Sequence, residues 1–180
     1  MRVIAGEFRS RKLLSIPGEV TRPTSDRLRE TLFDILGARA EGATFVDAYA
    51  GTGAVGIEAL SRGATLVYFL ERDKVAVETI RENLASLRVG SRAMVVAGPV
   101  ARTLERCKAE IVFADPPYEL ESEYTTVLER LAAAPPALAI VQHSFRFKLP
   151  DEKGVLHRTR LLKQGENALS FYVPQQTTEA

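Results

Sequence analysis

Apolar residues fall along this chain in two rhythms. Short unbroken runs at Phe45-Val46, Leu66 to Leu70, Ala93 to Ala97, Ile111 to Ala114 and Leu138 to Val141 have the length and composition of buried strands. Between them apolar positions recur at helical spacing. Residues 57 to 62 complete a helix ended by Gly63, and Asp73 opens one to about Leu87 with Val75, Val77, Ile80, Leu84 and Leu87 inward. Gly98-Pro99 begins another to about Lys108, and Glu121 to Ala134 forms one stopped by Pro135-Pro136. This alternation predicts an α/β domain with a mostly parallel sheet. Val155 to Leu162 then alternates apolar and charged residues, turns at Gln164 to Asn167 and continues as Ala168 to Val173, an antiparallel hairpin closing a seven-stranded sheet.

Ahead of the first strand the pattern differs. Val3-Ile4-Ala5 and Leu13 to Ile16 flank the polar stretch Gly6 to Lys12, predicting a β-hairpin with a basic tip that carries Phe8, followed by a turn at Pro17-Gly18. Phe8 either stacks a base or anchors the hairpin to the core. Thr24 or Ser25 can cap a helix running to about Gly37, with Leu28, Leu32, Ile35 and Leu36 on its apolar face and Arg22, Arg27, Arg29 and Glu30 on its polar face. The expected organisation is an N-terminal appendage over residues 1–38, a main domain over 39–174 and a tail over 175–180, with the appendage helix lying across the edge of the cleft.

The first strand runs straight into Val46-Asp47-Ala48-Tyr49-Ala50-Gly51-Thr52-Gly53-Ala54-Val55-Gly56. Gly51 and Gly53 allow a sharp turn close to a ligand, and Gly56 allows the following helix to pack tightly on the sheet. Glu71 lies 20 residues after Gly51 at the end of the next apolar run, where an acid binds a ribose hydroxyl pair. The spacing fits a dinucleotide or S-adenosylmethionine. Asp47 separates the two, because a carboxylate there repels a pyrophosphate but attracts the ammonium and sulfonium of S-adenosylmethionine. Capping of a turn is the plainer role for Asp47.

Asp115-Pro116-Pro117-Tyr118 ends the fourth apolar run, placing it on the same carboxyl edge. Two prolines remove two amide donors and leave fixed carbonyl acceptors. An exocyclic amine held by the Asp115 carboxylate and the Pro116 carbonyl is aligned for methyl transfer, while Tyr118 offers a stacking face to an unstacked base. Alone, the four residues also read as a turn with Tyr118 covering the core.

Composition narrows the class. The chain is 46% apolar and 26% charged, as a globular fold is, and no apolar run approaches the ~20 residues needed to span a membrane. Met1 to Lys12 holds cations without an apolar stretch of signal-peptide length behind them, so a cytoplasmic protein is expected. The single cysteine, Cys107, excludes an internal disulfide and a multi-cysteine metal site, and reads as packing. The net charge of +1 hides an asymmetry: residues 1–31 hold seven Lys/Arg against four Asp/Glu, residues 32–142 hold 11 against 15, and residues 143–163 hold six against two. Basic flanks around an acidic centre suit a polyanion at the edges and a cationic cofactor within, although solvated surface charge gives the same counts.

The sequence resembles the bacterial family of 16S ribosomal RNA guanine-N2 methyltransferases. The matching stretches are Arg11-Lys12-Leu13, the block Arg22-Pro23-Thr24-Ser25-Asp26-Arg27-Leu28-Arg29-Glu30-Thr31-Leu32-Phe33, Asp47 to Gly63, Asp115 to Tyr118, and Ala168 to Tyr172. The glycine and D-P-P-Y motifs are shared with many amine methyltransferases, whereas the Arg22 to Phe33 block is specific to this family. Ser10 stands where the family pattern has glycine. The resemblance implies a Rossmann-like class I methyltransferase that methylates the exocyclic N2 amine of a loop guanine in 16S rRNA, with S-adenosylmethionine as cofactor and no metal. It implies a monomer acting on an assembling or assembled 30S particle. Expected catalytic residues are Asp115, Pro116, Pro117 and Tyr118; expected cofactor residues are Asp47, Ala48, Gly51, Thr52, Gly53, Glu71 and Arg72. Expected RNA contacts are Arg9, Arg11, Lys12, Arg22, Thr24 and Arg27, while His143 reads as polar packing or a further RNA contact. Alternatives are an N6-adenine or other exocyclic-amine methyltransferase, an NAD-dependent dehydrogenase, and a non-catalytic ribosome-assembly factor.

Overall fold

The computed structural model describes residues 1–16 and 25–175. The turn at Pro17-Gly18, Arg22, Thr24 and the tail past Gln175 lie outside the described residues. Eight strands form one sheet in the order β3-β2-β1-β4-β5-β8-β7-β6. They are β1 (Thr44–Ala48), β2 (Leu66–Glu71), β3 (Ala93–Ala97), β4 (Ile111–Ala114), β5 (Leu138–Ser144), β6 (Glu152–Lys153), β7 (Leu156–Gln164) and β8 (Asn167–Pro174). Strands β1 to β5 are parallel, and β8 pairs antiparallel with both β5 and β7. The sheet thus contains the seven expected strands plus β6, a two-residue edge strand too short to give a periodic signal.

Successive side chains of a strand point to opposite faces, so Phe45 and Val46 enter two different cores. On one face Phe45, Phe69, Phe113 and Ile140 pack with α1 (Asp26–Leu36), α2 (Ala54–Ser61) and α3 (Lys74–Leu87). On the other, Val46, Leu70, Val112 and Val141 pack with α4 (Val100–Thr103) and α5 (Glu121–Ala133). The chain passes from the outer strand β3 back to β4 beside β1, so the strand order reverses between β1 and β4, where open α/β sheets bind ligands.

Local chemistry explains the helix boundaries. Ser25 caps α1 by accepting from the Leu28 amide, and Asp73 caps α3 by accepting from Ala76. Gly56 lies inside α2, where a Cβ would stand 2.4 Å from the Phe69 ring, so the glycine sets the distance between that helix and β2. The helix expected from Pro99 to Lys108 is instead a four-residue α-turn followed by a 3-10 turn over Leu104–Arg106. Val100, Thr103, Leu104 and Cys107 are nevertheless buried at the expected spacing. The Thr103 hydroxyl bonds back to the Pro99 carbonyl at 3.0 Å, a local competitor of helical geometry.

The N-terminal segment departs most from expectation. Its only strand-type bridge pairs Arg2 with Lys12, among the described residues, and residues 5–10 form turns rather than hairpin strands. Its attachment runs through α2. The fully buried Glu58 carboxylate accepts from the Ile4 and Ala5 amides at 2.8 and 3.0 Å, Ser61 Oγ accepts from Phe8 N at 2.9 Å, and the Ser61 carbonyl accepts from Glu7 N at 2.7 Å. Phe8 is 6% exposed in the sheet's own core beneath the Arg92 guanidinium, which makes it an anchor rather than a base-stacking surface. Arg29, expected on the polar face of α1, is fully buried. Its Nη2 donates to the Arg2 carbonyl at 2.6 Å and to Asp26, and its Nε lies 3.7 Å from Glu58. Among the described residues of this stretch, Val3, Phe8, Leu13, Leu28, Leu32 and Phe33 join the core on that face of the sheet.

The closest approach in this docking is at Gly6, whose φ is +79° and whose added Cβ would stand 1.8 Å from the Ser61 carbonyl oxygen. Gly6→Ala is expected to cost about 2–5 kcal/mol by adding left-handed strain and overpacking. Gly42→Ala, with φ +77° and open space around it, is expected to cost only the strain of about 1–2 kcal/mol. Urea unfolding of both variants checks this; equal losses would show that no steric contact at Gly6 matters.

Candidate active site

At the β1–β4 reversal a cavity of about 400 Å³ opens, within the range of small-molecule sites. Its wall brings together Asp47 from β1, Gly51 and Thr52 from the glycine loop, Glu71 and Arg72 after β2, Gly98 and Pro99 after β3, Asp115 and Pro117 after β4, and Glu123 from α5. Both sequence motifs thus share one cleft, each at the carboxyl end of its strand.

Asp47 is 2% exposed, and its Oδ2 accepts from the Gly56 amide at 2.7 Å. Gly53 supplies no side-chain cap to α2, so Asp47 reaches from the strand to cap it instead. Burial pushes the Asp47 carboxyl well above the usual carboxylate range; the Gly56 bond opposes that shift, and the neighbouring Asp115 and Glu71 charges add to it. A cation entering the cavity relieves this stress. Glu71 is held by three backbone amides, Oε2 accepting from Gly51 N at 2.9 Å and Oε1 from the Arg72 and Asp73 amides at 2.7 and 2.9 Å, which leaves an acceptor site on Oε2. The Gly51 amide, which a dinucleotide turn would offer to phosphate, is occupied by a carboxylate. The charged wall residues are Asp47, Glu71, Asp73, Asp115 and Glu123 against Arg72, a lining that attracts a cation and repels pyrophosphate.

Not every expected cofactor residue reaches the cavity. Ala48 is fully buried in β1, and Gly53 backs the loop: it has φ +79°, and its added Cβ would meet the Phe69 ring at 3.3 Å. Neither lines the wall. Gly51 also has positive φ, 55°, with open space where a side chain would stand, as close ligand approach requires. The Asp115 amide donates to the Ala48 carbonyl at 3.2 Å, holding the two motifs side by side. Pro116 is buried, and its carbonyl already accepts from the Tyr124 hydroxyl at 3.2 Å, which leaves one lone pair for a substrate. Tyr118 is 39% exposed; its hydroxyl donates to Asn167 Oδ1 at 2.6 Å and accepts from Gln142 Nε2 at 3.3 Å.

Tyr49 and Glu123 in the wall, and Asn83 behind it, carried no sequence signal of their own. Tyr49, within the glycine motif, adopts φ 62° and donates its hydroxyl to Glu123 Oε2 at 2.8 Å, bridging the loop to α5 across the cavity. Arg72 lies 3.9 Å from the same carboxylate. Asn83 is 1% exposed and ties the N-terminal segment to the glycine loop, exchanging bonds with Leu14 and donating to the Thr52 carbonyl at 3.1 Å. The N-terminal segment so tied carries the exposed Arg9, Arg11 and Lys12 and places Ile16 in the cavity wall. Arg11 donates to the Ser86 carbonyl, and Arg27 is exposed on α1. No described residue of α1 lines the cavity, so that helix packs beside α2 rather than across the cleft. His143 is a packing residue. Its Nδ1 lies 2.9 Å from the Ser144 and Phe147 carbonyls and therefore carries the proton, Nε2 bonds Ser170 Oγ, and burial pushes the imidazole pKa down.

The family model described as Conserved hypothetical protein 95 matches residues 1–173. Ribosomal RNA small subunit methyltransferase D of Escherichia coli (strain K12) is 34% identical over 170 residues, 91% of this chain and 86% of that protein. Among solved structures, the hypothetical protein TTHA0928 of Thermus thermophilus aligns with a TM-score of 0.79 at 32% identity, covering 97% of this chain and 99% of that one. Magnesium protoporphyrin IX methyltransferase of Synechocystis PCC 6803, solved with bound SAM, shares the fold at 17% identity with a TM-score of 0.67, over 83% of this chain and 79% of that one. The fold is that of the class I methyltransferases.

Two outcomes follow from the geometry. Glu71→Ala is expected to weaken S-adenosylmethionine by about 1.5–3 kcal/mol, the loss of charge-assisted hydrogen bonds, as read by calorimetry. Unchanged affinity would move the cofactor away from β2. For Asp47, a carboxyl whose pKa is raised on folding favours the native state most below the unfolded pKa of about 3.9 and loses that advantage as pH rises toward the folded value. Asp47→Asn keeps an acceptor for Gly56 and does not ionise. In cofactor-free protein its stability relative to the parent is therefore expected to improve in urea titrations as pH rises above the unfolded carboxyl value of about 3.9, by up to about 1.4 kcal/mol per pH unit. A difference independent of pH would refute the buried-carboxyl account.

Proposed function

The chain belongs to the Conserved hypothetical protein 95 family, and from that premise we propose that it methylates the exocyclic N2 amine of a guanine in 16S ribosomal RNA with S-adenosylmethionine as donor. The observation that carries this reading is that Asp115 and Pro117, in the loop Asp115-Pro116-Pro117-Tyr118, line the same acid-lined cavity as the glycine loop and Glu71, while Pro116 and Tyr118 flank it in the chain. The cavity fits the donor in charge and size. Asp47 and Glu71 would hold its cationic and ribose ends, with Gly51 and Thr52 against it and Arg72 at the rim. When bound, the donor supplies an electrophilic methyl on sulfur.

The protein's own groups then act on the amine. Guanine N2 is a poor nucleophile because its lone pair is delocalised into the ring. The Asp115 carboxylate and the remaining lone pair of the Pro116 carbonyl accept its two N–H bonds, which localises electron density on nitrogen and aligns it with the methyl. Positive charge would build on nitrogen as the N–C bond forms and the donor's C–S bond breaks to leave a neutral thioether; the Asp115 carboxylate stabilises that charge most in the transition state, and one N–H proton is then lost from the nitrogen to solvent. Pro117 stiffens the loop, and the exposed Tyr118 ring offers a face to the unstacked base. Arg9, Arg11, Lys12 and Arg27, with Arg22 and Thr24 beyond the described residues, are proposed to meet backbone phosphate. The acidic wall and the occupied Gly51 amide favour this reading over a dehydrogenase.

Incubating ribosomal particles with labelled donor and mapping the methylated base tests the reading directly; label on adenine N6, or none, would replace it. Asp115→Ala is expected to lower turnover roughly a hundredfold or more, while Asp115→Asn, which keeps an acceptor oxygen, retains part of the activity. Cofactor affinity should change little in either variant. A folded, cofactor-bound Asp115→Ala protein with the parental single-turnover rate would eliminate the mechanism.

A further inference from the structure

Two exposed aromatic residues follow the neighbouring strands β4 and β5 at the carboxyl edge of the sheet. Strands β4 and β5 are parallel neighbours with Ala114 opposite Val141. Tyr118 and Phe145 each lie four residues beyond that pair, on the carboxyl edge of the sheet. Tyr118 is 39% exposed and Phe145 40%. Both loops are pinned to the turn between β7 and β8: the Tyr118 hydroxyl bonds Asn167, and the Phe145 amide donates to the Glu166 carbonyl at 2.8 Å.

Cations accompany the second aromatic. Lys163 Nζ stands 3.3 Å from the centroid of the Phe145 ring, which holds the ring in place by a cation–π contact. Arg146, with its side chain 87% exposed, lies 3.9 Å from Glu166. Lys148 and Arg160 are exposed as well, within the segment where basic residues outnumber acidic ones six to two. Single exposed apolar side chains are ordinary on protein surfaces. Phe145 differs in being fixed, by a cation on its ring and a backbone bond, to the same turn that holds the D-P-P-Y tyrosine.

We propose that Phe145, Lys163 and Arg146 form a second RNA-contacting surface, on which an unpaired nucleotide adjoining the target stacks against Phe145 while the two cations meet its phosphates. The inference rests on the functional reading above. Base–aromatic stacking tolerates any base, so this surface holds a splayed loop without reading its sequence, and the amine geometry at Asp115 selects the target. The RNA is then gripped on both sides of the cavity, by the N-terminal cations on the α2–α3 side and by this platform beyond β5.

The test compares the apparent KM for ribosomal particles of the parent, Phe145→Ala, Phe145→Tyr, Lys163→Ala and Met94→Ala. Met94 is a 50% exposed residue on β3 at the opposite edge of the sheet. Phe145→Ala is expected to raise the KM about fivefold to a hundredfold, the range for loss of one stacked base, with cofactor affinity and thermal midpoint held. Phe145→Tyr restores the parental KM, Lys163→Ala flattens the salt dependence of binding by about 0.7 unit, the single-strand value per contact, and Met94→Ala behaves as the parent. A parental KM and salt slope in both Phe145→Ala and Lys163→Ala, with an active parent, would overturn this inference alone. An equal rise in Met94→Ala would overturn it too, by showing that the effect is not local. An inactive parent would overturn the functional reading and this inference together.

Discussion

The site depends on one buried hydrogen bond. The Asp47 carboxylate joins the end of β1 to the first turn of α2 through the Gly56 amide, and the ligand-facing loop is the chain between those two points. A glycine-rich loop has high conformational entropy, so clamping its ends restricts the states it can visit. The same carboxylate is held in a low-dielectric site next to Asp115 and Glu71, so the clamp also stores an electrostatic imbalance that a cation corrects. Structural capping and cofactor attraction, which look like rival roles in the sequence, are compatible in one side chain.

Around this clamp the carboxylates divide the work by what they accept. Asp47 and Glu71 take backbone amides and give the loop its shape. Glu123 takes the Tyr49 hydroxyl and joins the loop to α5, and Glu58, on the far side of α2, takes the amides of the N-terminal segment. Glu58 is buried between Arg29 and Arg62, the latter at 2.8 Å, so its charge is compensated where it is desolvated. Five acids from the middle of the sequence, Asp47, Glu71, Asp73, Asp115 and Glu123, meet at the cavity.

Much of this was legible in the residues, and the failures have physical causes. Strand positions were readable because buried parallel strands form unbroken apolar runs, and Ser25, Asp73 and Gly56 declared their roles through local rules that need no tertiary information. Arg29 was misread because helical spacing fixes where a side chain starts and not where a long one ends. Phe8 left two roles open, since an aromatic in a basic loop looks the same whether it packs or stacks. The helix after Pro99 kept its buried spacing and lost its α-geometry, because periodicity reports burial more faithfully than hydrogen-bond register. Glu123 and Asn83 enter the site only through the fold: their partners, Tyr49 and Leu14, lie 74 and 69 residues away. The Pro116 carbonyl needed knowledge of Tyr124, whose hydroxyl faces it from the next helix.

The attachment of the N-terminal segment also bears on the order of events in biosynthesis. Ile4, Ala5 and Phe8 bond to residues 54, 53 and 53 positions downstream, and Leu14 to one 69 positions downstream. These residues emerge from the ribosome before α2 and α3, and they have nothing to dock on until those helices have been translated and packed on the sheet. Contacts of such long sequence separation carry a large loop-closure cost and form late. The basic stretch around Arg9, Arg11 and Lys12 thus spends the early part of synthesis as an unanchored polycation and acquires a fixed geometry only when the sheet beneath it exists.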